Sequence, residues 1–174
     1  NLNEDVIRVA RVFSNAPKAA IRVDVNGLWS VDQALTNLYA YYEEIGPLEY
    51  VEQPCATVEE LRELKSKINI PLRIAADELI RKAPDPFAVD LTGAADIVML
   101  KVQPLGGIQR SLDIAAHHGL PVVVSSALES AIGIEYGLDL AAGIKDLTFD
   151  CGLATGLLLA NDVAEHKIID GKIT

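Results

Sequence analysis

Short apolar stretches alternate with longer amphipathic stretches along most of this chain. In residues 21–26, isoleucine and valine side chains alternate with Arg22, Asp24 and Asn26, which predicts a strand with one apolar and one polar face. Similar stretches recur further along the chain and predict further strands. The predicted strands lie in residues 21–29, 48–53, 72–78, 96–103 and 121–126, with a last short one in residues 147–150.

The segments between these strands have the periodicity of helices. Two of them open with a capping box, Ser30-x-x-Gln33 and Thr57-x-x-Glu60, in which side chains satisfy the first free backbone N–H groups. The first of these helices is expected to end at residue 45, before a glycine and a proline. The predicted helices span residues 4–13, 30–45, 57–68, 84–91, 108–119, 129–142 and 155–163.

Strand and helix thus alternate about every 25 residues, which indicates βαβ units in a parallel sheet. No GxGxxG follows a strand, so the pattern favours a closed (β/α) TIM-type barrel over an open doubly wound sheet. Polar residues fall at the carboxyl ends of the strands, where barrels build their sites. A barrel needs eight strands in about 250 residues. We therefore expect residues 1–174 to be the C-terminal six or so βα units of a barrel, with the first strands outside the chain.

Composition and charge narrow the possible partners. The chain has 174 residues, a net charge of −10 and no long basic run, which argues against binding nucleic acid or anionic membranes. No apolar stretch is long enough to cross a bilayer, and no signal peptide is recognisable. Cys55 and Cys151 form no CxxC pair and are expected to be free thiols in a reducing cytoplasm. The sequence favours no particular oligomeric state.

Three carboxylates end three successive predicted strands. Asp24, Glu52 and Asp77 are separated by 28 and 25 residues, and neighbouring strands lie about 4.8 Å apart, so the three could converge on one point. Such anions repel one another, so either their pKa values rise or a cation neutralises them. An oxygen-only set suits Mg²⁺, with Mn²⁺ as a possible substitute. The alternative is salt bridges to Arg22 and Arg73.

A lysine occupies the corresponding position on the fourth strand. Lys101 lies 24 residues after Asp77. A cation nearby would disfavour its ammonium form and the acids would favour it, so Lys101 could act as a base. If it stays charged, it could stabilise an anionic intermediate, or serve only as a counter-ion to the carboxylates.

Four motifs resemble those of the enolase superfamily, in its muconate-lactonizing subgroup: DVNG (24–27), VEQP (51–54), ADE (76–78) and LK (100–101). Sites of that superfamily use a Lys or His base with one or two Mg²⁺ ions. The resemblance implies Mg²⁺ on Asp24, Glu52 and Asp77, removal of the proton α to a substrate carboxylate, and an enediolate intermediate. Lys101 would lie across the site from the main base.

Three longer segments resemble a dehydratase branch of this subgroup: residues 100–107, 122–130 and 151–163. This resemblance implies a small-molecule carboxylate substrate, a succinyl-hydroxycyclohexadiene carboxylate, that loses water in menaquinone biosynthesis. Lys101 would then stabilise the intermediate as a cation. Ser125 and Ser126 would bind the succinyl tail, or alternatively only close the strand-to-helix turn. Asn26 and Glu78 are expected to support these groups without ligating the ion, Glu78 as a partner of Lys101.

One departure from the family pattern concerns the principal base. The family carries it in a K-x-K motif before the first metal ligand, and nothing upstream of Asp24 matches. Lys65 and Lys67 have the spacing but lie at a helix end, so they are not assigned. We expect both this strand and the family's capping domain to lie outside the chain.

Other functions share the same residues. An N-acylamino acid racemase or a dipeptide epimerase would use the same acids and Lys101, although the epimerase pattern has an acidic DxD where this chain reads CGLATG (151–156). A half-barrel that binds or assembles without catalysis is the third alternative.

Overall fold

The computed structural model describes residues 2–173. It divides the chain into two compact units, Asn1–Ile97 and Val98–Thr174.

The first unit alternates helices with three short parallel strands. β1 pairs with β2, and β2 with β3; Val23 is the register partner of Val51, which in turn is the partner of Ile74. The Asp96 N–H donates to the Ile74 carbonyl at 2.8 Å and so continues this hydrogen bonding beyond β3. The elements are α1 (Leu2–Asn15), β1 (Arg22–Asp24), α2 (Val31–Ile45), β2 (Tyr50–Glu52), α3 (Val58–Lys67), β3 (Ile74–Ala76), α4 (Glu78–Arg81) and a 3₁₀ turn (Pro86–Ala88).

Both predicted capping boxes are confirmed. The Ser30 hydroxyl accepts from the Gln33 N–H at 3.3 Å, and the Gln33 side chain accepts from the Ser30 N–H at 3.0 Å. Thr57 and Glu60 make the same reciprocal pair. Helices α2 and α3 therefore begin where their sequence signals predict.

The core of the first unit lies between the strands and their covering helices. β2 and β3 are buried along their whole length, as is typical of parallel strands covered on both faces. β1 is only partly buried and ends on the exposed Asp24. The buried apolar side chains are Val25, Val31, Ala34, Leu38, Tyr41, Leu48, Val51, Cys55, Leu61, Leu64, Ile74 and Ala94.

The second unit contains strands β4 and β5. The first residue of β4, Ile97, is the last residue of the first unit. These two strands are parallel, with Met99 the register partner of Val123. Helix α6 ends at Gly119, which has a left-handed φ of 62° that favours glycine. The elements are β4 (Ile97–Leu100), α5 (Val102–Leu105), α6 (Ile108–His118), β5 (Val122–Val124), α7 (Ala131–Gly143), a 3₁₀ turn (Thr155–Leu158), β6 (Ile168–Ile169) and β7 (Lys172–Ile173).

Several predicted elements differ from the structure. Residues 147–150 form no strand; instead Gly152 makes a single parallel bridge to Ser125. The helix predicted for residues 84–91 is one 3₁₀ turn, Pro86–Ala88, and the Asp85 side chain accepts from the Phe87 N–H at its start. The helix predicted for residues 155–163 is likewise a 3₁₀ turn, Thr155–Leu158. Helices α4 and α5 and the antiparallel pair β6–β7 were not predicted.

Within residues 2–173, no helix combines the length and the apolar character required to cross a membrane.

Candidate metal and substrate site

Carboxylates occupy the carboxyl ends of all three strands of the first unit. Asp24 is the last residue of β1, Glu52 is the last of β2, and Asp77 follows β3 directly. Asp24 and Glu52 are register partners, and the Val25 N–H donates to the Glu52 carbonyl at 3.1 Å, so their backbones run side by side. Like charges on neighbouring strands repel. Two carboxylates at adjacent strand ends are therefore unfavourable unless a positive charge lies near them.

Asp24 has a local hydrogen-bond partner in Asn26. The Asn26 side-chain amide donates to both Asp24 carboxylate oxygens, at 3.0 and 2.9 Å, and the Asn26 N–H donates to Oδ1 at 2.9 Å. Asn26 adopts a φ of 53°, a left-handed conformation that asparagine tolerates better than most residues. The turn after β1 thus fixes the orientation of the Asp24 carboxylate.

Asp77 is fully buried and is compensated by Arg81. The Arg81 Nε donates to both Asp77 oxygens, at 3.0 and 2.9 Å, and its Nη2 donates to Glu78 Oε1. Burial acts to lower the pKa of Arg81, but the two carboxylates together hold that pKa above its ordinary value. A buried carboxylate requires such a partner.

The arginine that pairs with Asp77 was not among those predicted. Arg22 donates instead to Glu49, and its guanidinium lies 4.9 Å from the centroid of the Tyr50 ring. Arg81 is four residues after Asp77, a helical spacing that could have indicated the contact.

Gln53 is a second residue that the sequence did not single out. Gln53 directly follows Glu52 in the sequence and is fully buried. Its side-chain Oε1 accepts from the Asp77 N–H at 3.0 Å. The only signal in the sequence is a polar residue between a strand-ending glutamate and a proline.

The donor set fits Mg²⁺ in its chemistry, because it consists of carboxylate oxygens on adjacent strand ends. Within residues 2–173, however, no three His, Cys, Asp or Glu side chains are grouped closely enough to hold one ion in this arrangement. In this structure Asn26 and Arg81 donate hydrogen bonds to the carboxylates of Asp24 and Asp77.

Glu78 has one satisfied and one unsatisfied carboxylate oxygen. Oε1 accepts from Arg81 and lies 3.9 Å from the Lys82 ammonium, whereas Oε2 is buried and has no hydrogen-bond partner among residues 2–173. The expected pairing of Glu78 with Lys101 stays a prediction.

In the second unit, Lys101 directly follows β4 and is 8% exposed. Its carbonyl accepts from the Leu105 N–H at 3.2 Å, so it stands at the start of α5. A lysine buried to this degree at the carboxyl end of a parallel strand is a candidate for binding or catalysis.

Ser125 and Ser126 follow β5 and anchor the segment around Gly152. Their hydroxyls donate to the Gly152 carbonyl at 3.3 and 3.1 Å, and the Ser126 hydroxyl lies 2.7 Å from that of Thr155. A Cβ at residue 152 would lie 3.0 Å from the Ser125 hydroxyl, so glycine permits this close approach. These contacts tie the end of β5 to the segment around Gly152. Binding of substrate by the serines and closing of the strand-to-helix turn by them both stay predictions.

Comparison with known proteins matches this chain to a family model, to curated relatives and to solved structures. A family model described as "Enolase C-terminal domain-like" matches residues 1–173. The chain is 55% identical over 173 residues to o-succinylbenzoate synthase of Mycobacterium ulcerans, covering 99% of this chain and 51% of that protein. It is 52% identical over 172 residues to o-succinylbenzoate synthase of Mycolicibacterium smegmatis, covering 98% and 52%. The chain thus spans about half the length of the curated relatives it matches.

Solved structures show the same fold. Muconate lactonizing enzyme from Pseudomonas putida superposes with a TM-score of 0.83 at 25% identity, over 99% of this chain and 49% of that one. The L-Ala-D/L-Glu epimerase from Bacillus subtilis superposes with a TM-score of 0.82 at 24% identity, over 97% and 48%. The predicted fold class, the C-terminal part of an α/β barrel of the enolase type, is confirmed, and the chain belongs to the family of enolase C-terminal domain-like proteins.

Proposed function

We propose that this chain carries the metal-binding carboxylates and the lysine of an o-succinylbenzoate synthase, a lyase that dehydrates a succinyl-hydroxycyclohexadiene carboxylate in menaquinone biosynthesis. The observation that carries the proposal is the series of carboxylates on three consecutive strand ends, with Asp24 and Glu52 in register. The proposed reaction is that of the relatives at 52–55% identity, which are named o-succinylbenzoate synthase.

Each proposed role follows from the surroundings of the residue. Asp24, Glu52 and Asp77 would hold Mg²⁺, which when bound supplies positive charge for the negative charge that develops on a substrate carboxylate. Asn26 would keep the Asp24 carboxylate oriented through the two bonds of its side-chain amide.

Lys101 is proposed to act on the anion formed from the substrate rather than on the metal ion. Removal of the proton α to the carboxylate gives an anion, which the Lys101 ammonium would stabilise until hydroxide leaves. Burial excludes water from this ammonium and so strengthens its effect on a nearby anion.

The test is a dehydration assay on the full-length protein with a matched pair of variants. Glu52→Gln removes a proposed ligand, whereas Glu49→Gln changes the same residue type three positions earlier, where the carboxylate bonds to Arg22. We expect Glu52→Gln to lose about 10²–10³-fold in kcat, and Glu49→Gln to change kcat only slightly.

Two results would contradict the proposal. One is the absence of dehydration by the wild-type protein. The other is racemisation of N-acylamino acids without dehydration, which would indicate the racemase that shares these residues.

A further inference from the structure

Gln53 combines complete burial with an unusual backbone conformation. It is 0% exposed and has a φ of +37°, in the left-handed region that residues other than glycine rarely adopt. Such a conformation persists only where the surrounding contacts impose it, and it is concentrated at functional sites.

Both ends of the Gln53 side-chain amide are hydrogen-bonded. Oε1 accepts from the Asp77 N–H at 3.0 Å and from the Leu79 N–H at 3.3 Å, and Nε2 donates to the Cys55 carbonyl at 2.8 Å. The side chain therefore ties Asp77 and the start of α4 to the turn after β2.

The Gln53 backbone makes two further links between strand ends. Its N–H donates to the Ala75 carbonyl at 2.8 Å, and its carbonyl accepts from the Gly27 N–H at 2.6 Å. Gly27 has a φ of +73°, and a Cβ there would lie 3.4 Å from the Ala56 Cα. One residue thus connects the ends of β1, β2 and β3.

We propose that Gln53 is a positioning residue that sets the spacing of the Glu52 and Asp77 backbones for a shared divalent ion. This inference rests on the proposed metal site. An apolar side chain of equal size would fill the space, but it would leave the buried Asp77 N–H without this acceptor. The segment that carries Asp77 could then shift relative to Glu52, and a metal site tolerates little such movement.

The test measures Mn²⁺ affinity of the full-length protein by the electron paramagnetic resonance signal of free Mn²⁺. Gln53→Met keeps the side-chain length and the backbone strain but removes the hydrogen bonds, and we expect it to weaken Mn²⁺ binding by about 10–100-fold. Gln53→Asn keeps the amide but shortens the side chain by one methylene, so it should reach the Asp77 N–H less well and should weaken Mn²⁺ binding by a smaller factor.

A control separates positioning from general stability. Leu64→Val shortens a fully buried side chain of α3 and should lower the thermal midpoint without changing Mn²⁺ affinity. If Gln53→Met does not fold, Gln53→Asn decides in the same way: weakened Mn²⁺ binding supports the inference, and wild-type affinity overturns it.

The variant Asp77→Asn distinguishes failure of this inference from failure of the proposed function. If Asp77→Asn loses Mn²⁺ and Gln53→Met binds it like wild type, the inference is overturned and the metal site stands. If Asp77→Asn also binds Mn²⁺ like wild type, both are overturned.

Discussion

At the scale of single residues, Asp24 and Asp77 each have a dedicated donor nearby. Asn26 reaches Asp24 from two residues away, and Arg81 reaches Asp77 from the next helical turn. The type of donor suits the exposure of each carboxylate. The exposed carboxylate needs only orientation, which a neutral amide supplies, whereas the buried one needs an opposite charge.

Lys101 provides a direct test of the proposed chemistry. Lys101→Met keeps much of the side-chain length and removes the ammonium, so kcat for dehydration should fall by about 10²–10⁴-fold. The matched control is Lys145→Met, because Lys145 is exposed and lies away from the strand ends. A Lys101→Met enzyme with wild-type kcat would remove Lys101 from the mechanism.

Cys55 predicts a pH dependence of stability at alkaline pH. Burial raises the pKa of the Cys55 thiol to about 11, with the Glu60 and Glu63 carboxylates adding to the effect. The folded state thus holds this proton more tightly than the unfolded state does. The stability from this thiol is fully present below pH 9 and is lost as pH rises towards 11.

Urea denaturation between pH 8 and 11 measures this effect. The free energy of unfolding should decline across that range in the wild-type protein and decline less in Cys55→Ala. Equal slopes in the two proteins would show that Cys55 does not titrate in this way.

The residues found from the sequence are those whose signal is local. The acids and Lys101 were predicted because each ends a recognisable strand. Gln53 was missed because its role depends on where β3 and α4 lie in space, which no pattern around residue 53 encodes. The arginine partner of Asp77 was missed for a simpler reason: helix α4 itself was not predicted.

At the scale of elements, α7 packs closely through Gly133. A Cβ at this position would lie 2.6 Å from the Glu129 Cβ and 3.0 Å from the Gln103 Nε2, and that same Nε2 donates to the Gly133 carbonyl at 2.9 Å. Gly133→Ala should therefore destabilise the protein by about 1–3 kcal/mol through overpacking.

Gly143 in the same helix is the matched control. A Cβ there would meet only the Leu112 methyl groups, at 3.9 Å, so Gly143→Ala should be neutral or stabilise by about 0.5 kcal/mol. Urea denaturation of both variants measures the contrast. Equal effects of the two substitutions would contradict the packing at Gly133.

Helices were predicted best where a capping box marks their first turn. The capping boxes at Ser30 and Thr57 placed the starts of α2 and α3 correctly. The strands were predicted too long: the strand predicted for residues 96–103, for example, ends at Leu100, and Val102–Leu105 form helix α5. The C-terminal region was predicted least well, since Gly152 pairs through a single bridge that leaves no periodic pattern.

At the scale of the whole molecule, βα periodicity with polar strand ends predicted the barrel class that the family comparison confirms. Two compact units were not predicted, because helix and strand alternate without interruption across residues 97 and 98. The chain spans about half the length of the curated relatives that carry the proposed activity in their names, so tests of that activity use the full-length protein.

The central claim is that these strand-end carboxylates hold one divalent ion on which turnover depends. Its most direct test is the dehydration rate after chelator treatment and after restoration of metal. We predict that the rate falls to background with chelator and returns with Mg²⁺ or Mn²⁺. Full activity of the chelated, metal-free protein would contradict the claim.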